Sequence, residues 1–333
     1  MKSGIIPPTL QTLFADLLQQ VETAPLAGSI YRRTQDGAEY IYAKVPVGAD
    51  RIDQFVGKSG DPEAEERARS LQTGTALSVQ RRRLVSMLRR EGLAGPDRMM
   101  GAILDALAHA SLFKAGAVLV GTAAYLVSEP LVGSRLPSPT LMTGDLDLAT
   151  ASVAITAEPP ERLMTILRRA DSTFEGVPQL DPKAPPSRFR NASGYLVDIV
   201  TPTRTREDSN PVVLDQLDAG AAPLQHLAWL IDGAVRTVAL WGAGVLVNVP
   251  QPARYAVHKL ILAQRRDVSG RLKRTKDLAQ AKALIEVLLK HDPFALEDAL
   301  NDARAQGQRG WGAPIDRSLD EIGLAATIAG GLR

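Results

Sequence analysis

Two carboxylates alternate with two leucines in Gly144-Asp145-Leu146-Asp147-Leu148, and a β-strand is the backbone that makes sense of the alternation. Residues i and i+2 of a strand share a face, so Asp145 and Asp147 project together while Leu146 and Leu148 turn to a core. A second strand-like run, Tyr195-Leu196-Val197-Asp198-Ile199-Val200, carries a third carboxylate between apolar neighbours. If the two strands lie side by side, three like charges meet over an apolar floor, an arrangement that repels itself unless cations occupy it. Oxygen-only donors suit Mg²⁺, as a pair of ions, and two-metal phosphoryl or nucleotidyl transfer is the matching chemistry. An Asp-x-Asp alone also fits a solvated edge strand or a turn, so the upstream residues matter.

Ala115-Gly116-Ala117-Val118-Leu119-Val120 has the length and composition of a buried strand, ends in Gly121-Thr122 and runs into the helix-compatible Ala123-Ala124-Tyr125-Leu126-Val127. A glycine there admits a phosphate close to the backbone, and the Thr122 hydroxyl and the first helical amides can hold phosphate oxygens. A tight turn with a helix cap is the plainer role of such a pair. Gly133-Ser134 is the second choice for phosphate binding. It lies at a shorter interval before Asp145, but it follows the polar Ser128-Glu129-Pro130 interruption.

Taken together, Gly121-Thr122, the pair Asp145 and Asp147, and the later Asp198 resemble the signature of the DNA polymerase beta-like nucleotidyltransferase superfamily. The pattern Val118 to Thr122 followed by Thr143 to Asp147 looks closest to a bacterial nucleotidyltransferase-domain group. It is more distantly similar to the nucleotidyltransferase toxins of abortive-infection systems. The likeness is strongest over about 113–200 and traceable into the helices after Pro250. Two departures are visible: the Gly121–Asp145 interval is longer than the commonest one, and Thr122 replaces the usual serine. The resemblance implies an α+β fold, a mixed sheet flanked by helices, with an N-terminal helix and small β-meander before it and a C-terminal helical domain after it. The implied units are 1–95, 96–250 and 251–333. It also implies an enzyme that moves an NMP from an NTP, ATP among them, to an acceptor hydroxyl. Asp145 and Asp147 would bridge two Mg²⁺ ions, and Asp198 would hold the nucleophile side and receive a proton. Lys259, and the pair Lys276-Asp277 that opens a later helix, occupy positions that line the nucleotide pocket in related enzymes; Arg265 and Arg266 stand close by in sequence. RNA, tRNA ends included, is the expected acceptor, and the toxin-like likeness leaves room for an antitoxin or other protein partner. The alternatives are the same chemistry on a small molecule or protein, and a non-catalytic nucleotide- or nucleic-acid-binding module.

The remaining chain is read from pattern. Pro8 to Val21 has helical apolar spacing, and a meander follows through Gly28–Arg33, Tyr40–Val45 and Arg51–Gly57, turning first at Asp36-Gly37. Arg32, Arg33, Tyr40, Tyr42, Lys44 and Arg51 mix basic and aromatic groups as a nucleic-acid-facing sheet would; an ordinary half-exposed sheet is the competing account. Asp61 to Glu91 and Asp97 to Ser111 read as helices, and Pro159-Pro160 opens another that runs to Ala170. Ser187–Arg190 and Tyr195–Val200 form a hairpin around Asn191–Gly194, on which Arg188 and Arg190 share a face and can meet triphosphate or substrate charge. Val235–Trp241 and Val245–Val249 are strand-like, and helices follow from Ala253 and from near Arg274.

With 333 residues, 45% of them hydrophobic, the chain can build a full core. It has no cysteine, which excludes disulfides and thiolate zinc sites and suits a reducing cytosol. The four histidines are scattered and read as structural or surface groups. No leader-like start and no membrane-length apolar run is visible, so the expectation is a cytoplasmic protein without a membrane segment. A P-loop, a Rossmann glycine pattern, a serine-hydrolase elbow and internal repeats are all missing.

Overall fold

The computed structural model describes residues 4–23, 25–47, 50–137, 144–150, 161–179, 181, 184–203, 210–267 and 270–330. Expectations that fall on Thr143 and on Pro159-Pro160 lie outside the described residues. The chain opens with helix α1 (Pro8–Thr23), whose Leu10, Phe14 and Leu17 are buried at helical spacing. Strands β1 (Ser29–Gln35), β2 (Ala38–Val47) and β3 (Asp50–Lys58) then form an antiparallel meander. Asp36 and Gly37 take φ values of 50° and 74°, the left-handed pair that a two-residue hairpin turn requires. Helix α2 (Pro62–Arg90) closes one face of this sheet. It starts on an Asp61 cap with proline next, and its Ala64 and Ala68 pack against Ile41, Ala43, Val45 and Val56. Arg32 departs from its expected place beside Arg33. It pairs in register with the buried Ile41 and donates to Glu39 and Glu65, because alternation turns it to the helix side.

Helix α3 (Arg98–His109), capped by the Asp97 side chain, leads to β4 (Val118–Val120), α4 (Gly121–Leu126), α5 (Glu129–Val132) and β5 (Asp145–Ala149). After α6 (Leu163–Ala170) come β6 (Glu175–Gly176), β7 (Arg188–Arg190), β8 (Leu196–Pro202), β9 (Val212–Leu214) and β10 (Ala219–Leu224). The seven strands form one mixed sheet of order β4-β5-β8-β10-β9, with β7 beside the first half of β8 and β6 beside β7. Strands β5, β8 and β10 are parallel, and β4, β7 and β9 run against their neighbours. Asn191 shapes the β7–β8 turn: its Oδ1 accepts from the Tyr195 amide at 2.8 Å and its Nδ2 donates to Asp171 at 2.9 Å.

Helix α7 (Leu227–Ile231) precedes β11 (Val235–Ala239) and β12 (Val245–Val249), which pair as a separate antiparallel ribbon rather than extending the sheet. The C-terminal part is helical: α8 (Pro252–Ala263), α9 (Arg271–His291), α10 (Pro293–Ala305), α11 (Ala313–Glu321) and α12 (Ala325–Ala329). One buried cluster runs from Met100 to Ile322, so sheet and C-terminal helices share a core, while a second ties α1 to Val85, Leu88, Val238 and Leu240. This is the mixed α+β architecture, a mixed sheet flanked by helices, that the sequence predicts. Among the described residues no helix is long and apolar enough to cross a membrane.

Between α1 and α2, Arg81 is 8% exposed, its Nη1 reaches only the Gln20 carbonyl at 3.3 Å, and its Nε has no hydrogen-bond partner. Burial lowers its pKa, and no carboxylate pairs with it among the described residues. A buried charge without a counter-ion costs stability. Arg81→Met, which keeps the volume and removes the charge, should raise stability by about 1–2 kcal/mol in denaturant melts. An unchanged or lower midpoint would show that the guanidinium is compensated.

Candidate active site

Strand register assembles the site. Val120 of β4 pairs with Asp147 of β5, Asp147 with Asp198 of β8, and Asp198 with Arg188 of β7, so four strands contribute one row. Paired residues point to the same face, and Asp145 stands one step along β5 on that face. On the reverse face Leu146, Leu148, Val197 and Ile199 are buried to within 1% exposure. Apolar packing on one side therefore fixes carboxylates on the other, and a one-residue slip would turn the carboxylates into the core.

Gly121 follows Val120 directly, with φ at +64°. A Cβ built on it would collide with the Asp147 carboxylate, so this position needs glycine twice over: for its left-handed backbone and for the close approach. The Tyr255 hydroxyl of α8 donates to the Gly121 carbonyl at 2.9 Å and lies 3.1 Å from Gln280 of α9, which ties the turn to the helices. Gly133, by contrast, ends α5 at φ +63°, its carbonyl accepts from the Ile6 amide, and the Ser134 hydroxyl donates to the Gly4 carbonyl. Gly133-Ser134 anchors the N-terminal segment and lies outside the cavities that the aspartates line.

A cavity of ≈ 240 Å³ brings Gly121, Thr122, Asp145, Asp147 and Asp198 together with Lys259, Arg266, Lys273, Lys276 and Asp277. Its charges are segregated: three acids come from the sheet, while four bases and one acid come from α8, α9 and the link between them. Lys259, 6% exposed, donates to Asp277 at 2.6 Å, and the other oxygen of Asp277 accepts from Arg266 at 3.1 Å. This buried triad keeps one net positive charge facing the sheet. Removing one partner of such a pair costs about 3–5 kcal/mol, so Asp277 has a structural duty as well as a place in the cavity. Burial, then the neighbouring Lys259, lowers the Lys276 pKa.

A second cavity, ≈ 540 Å³, adjoins the first through Asp147, Asp198, Val200, Leu224 and Arg266 and continues past Arg188, Ser187 and Gln179. Arg188 grips Asp198 with a fork of two bonds, Nε to Oδ1 at 2.6 Å and Nη2 to Oδ2 at 2.8 Å. Arg190 shares that face but stands two residues further along β7: it pairs with Glu175 at 3.2 Å and lines neither cavity. The expectation that Arg188 and Arg190 act together therefore splits. Arg265 donates to Gln225 and to the Gly310 carbonyl, also outside the cavities.

Sequence reasoning missed several residues here. Lys273 and Tyr255 carry no motif. His258, read as an ordinary structural histidine, is buried against the smaller cavity with its Nε2 unpaired, and burial pulls its pKa down to about 3. It is a neutral imidazole at any physiological pH. Its position one residue before Lys259 is the only signal the sequence offered.

Do these residues fit a divalent cation? Asp147 is pushed up to about 6, by burial first and then by Asp145 and Asp198, with Lys259 and Lys273 pulling the other way. Burial and the neighbouring carboxylates together disfavour the Asp147 charge, and an ion bound by oxygen donors would relieve both, so the donor chemistry fits. Among the described residues no three acidic or histidine side chains enclose an ion as they stand, and Asp198 is held by Arg188. The fork takes one lone pair on each Asp198 oxygen, so a cation at Asp198 would compete with Arg188 for its charge.

A family model described as nucleotidyltransferase matches residues 98–305, more than half of the chain. No curated protein and no solved structure matches.

The raised Asp147 pKa has a signed consequence for stability. A carboxyl that binds its proton more tightly when folded contributes its full stability below the unfolded pKa, near 4, and loses it as pH rises through about 6. In the presence of EDTA, Asp147→Asn should therefore be more stable than the parent at pH 8, by about 1–3 kcal/mol, with the difference fading below pH 4. Melting at pH 8 no higher than the parent would contradict the repulsion.

Proposed function

This chain belongs to the nucleotidyltransferase family, and from that premise we propose that it transfers an NMP from an NTP to a hydroxyl of RNA, with Asp145, Asp147 and Asp198 as the catalytic carboxylates. The acceptor oxygen forms a bond to the α-phosphorus, the bond from that phosphorus to the bridging oxygen breaks, and pyrophosphate leaves. The observation that carries this reading is the row Val120–Asp147–Asp198, closed at one end by a glycine that the Asp147 carboxylate touches.

The two adjoining cavities divide the work. On the smaller side, Gly121 clears room for phosphates at the strand end, and the Thr122 hydroxyl and the opening amides of α4 orient their oxygens. Lys259, Lys273 and Lys276 face them with positive charge, Lys259 being aimed by Asp277. Two Mg²⁺ ions held by Asp145, Asp147 and Asp198 would supply charge neutralisation along the triphosphate and acidify the acceptor hydroxyl. On the larger side, Asp198 faces the acceptor and takes its proton once Arg188 lets go. Arg188 is then free to meet an acceptor phosphate, which is what favours RNA over an uncharged small molecule.

The fork separates the two carboxylate variants in their effect on stability. Relief of repulsion makes Asp147→Asn structurally benign, whereas Asp198→Asn removes the charge that pairs with Arg188. With Arg188 half exposed this costs about 1 kcal/mol and leaves the fold standing.

Incubation with each labelled NTP, Mg²⁺ and total RNA, protein or lysate should label the RNA fraction. Asp147→Asn and Asp198→Asn should each lower that transfer by about a hundredfold or more while circular dichroism stays unchanged. Transfer by Asp198→Asn at the parental rate would refute the carboxylate assignment, and label in the protein or small-molecule fraction would refute RNA as acceptor.

A further inference from the structure

The N-terminal meander has one closed face and one open face. Ile41, Ala43, Val45 and Val56 take the closed one, under α2. Strand alternation sends Tyr31 and Arg33 of β1, Tyr40, Tyr42 and Lys44 of β2, and Phe55 of β3 to the other. Their rings form a connected array. Tyr31 and Tyr42 stack at 5.6 Å with planes 19° apart, Tyr42 meets Phe55 edge-on at 5.5 Å, and Tyr40 meets Phe55 at 6.1 Å. Cations complete it: the Arg33 guanidinium lies 5.6 Å from the Tyr42 ring centre, and the Lys44 ammonium 5.6 Å from that of Tyr31.

Rings are scarce in this chain, 5% of residues, yet three of its six tyrosines stand here beside a phenylalanine that is 58% exposed. Nothing in the fold needs them there, because the meander buries its aliphatic side chains on the opposite face. Two facts select the occupant. Lysine is depleted at protein interfaces, yet Lys44 stands over a ring of this array. The register puts Arg51 and Lys58 on this face as well, so four cations stand against the single acid Asp53. Flat π-surfaces edged with positive charge match unpaired bases on a polyanion.

We propose that this sheet face is a docking platform for single-stranded RNA, with bases stacking on Tyr42 and Phe55 and phosphates meeting Arg33 and Lys44. The choice of RNA as the polyanion rests on the acceptor reading given above; the rings and cations do not. Binding is therefore measured without NTP or divalent ion, so that a failed transferase assay and a failed binding assay point to different errors.

The test is fluorescence anisotropy with a labelled, unstructured oligoribonucleotide of about 12 nucleotides, in EDTA. The parent protein should bind, and Tyr42→Ala/Phe55→Ala should weaken binding by about tenfold or more. Lys44→Ala should weaken it less and flatten the dependence of log affinity on log salt by about 0.7. The rings are on the open face, so the double variant should keep its circular dichroism, with its melting point lowered only by loss of the cross-strand ring pair. If it does not fold, Lys44→Ala and Arg33→Ala decide the matter through the salt slope alone. Equal affinity of the folded double variant, an unaltered salt slope, or tighter binding of duplex RNA or single-stranded DNA would overturn the proposal.

Discussion

Two like charges held side by side organise this molecule. Asp147 and Asp198 are register partners on adjacent parallel strands, a strand spacing of about 5 Å apart, and neither can turn away while Leu146, Leu148, Val197 and Ile199 are packed beneath them. The surroundings read as responses to that constraint. Arg188 takes both oxygens of Asp198, Gly121 gives up its side chain to the Asp147 carboxylate, and the bases of α8 and α9 line the opposite wall. What these responses leave uncompensated appears as the raised proton affinity of Asp147. In the proposed reaction that surplus negative charge is what would draw cations to the nucleoside triphosphate.

The wall opposite is as fixed as the sheet. The Asp277 carboxylate is shared between Lys259 and Arg266, and Tyr255 links the Gly121 carbonyl to the helices. Because the C-terminal helices share one hydrophobic core with the sheet, the bases cannot drift from the acids without unpacking that core. A triphosphate between the two walls would meet preset charge on both sides, and preset charge is what makes electrostatic stabilisation effective. The meander is a separate cluster under its own helix, free to carry a surface of different chemistry.

Local pattern made much of this legible. Alternation gave β5 and β8, charged helix-forming composition gave α2 and the break after it α3, and Asp36-Gly37 gave the first hairpin turn. The family followed from Gly121-Thr122 and the three aspartates. What stayed hidden depends on partners far apart in sequence. Strand β10 is built from Ala219, Gly220, Ala221, Ala222 and Pro223, with no apolar alternation to announce it, because its small residues answer a tight space in which Gly220 meets the Pro185 carbonyl. Arg188 and Arg190 look equivalent by spacing, but only one has Asp198 across the ladder, while the other has Glu175. Gly133-Ser134 resembles Gly121-Thr122 in composition; the polar Ser128-Glu129-Pro130 interruption ranked it second, and its role in holding the N-terminal segment had no signal in the sequence. The sequence likewise grouped Arg32 with Arg33, although pairing with the buried Ile41 turns Arg32 to the helix side.

Direct titration with Mn²⁺ at pH 6, by calorimetry in buffers of different ionisation enthalpy, tests the central claim most closely. Binding should be accompanied by proton release, since Asp147 is about half protonated there, and both binding and release should be lost in Asp147→Asn. Binding of equal strength by that variant, or binding with no proton released, would contradict the account of the carboxylate row.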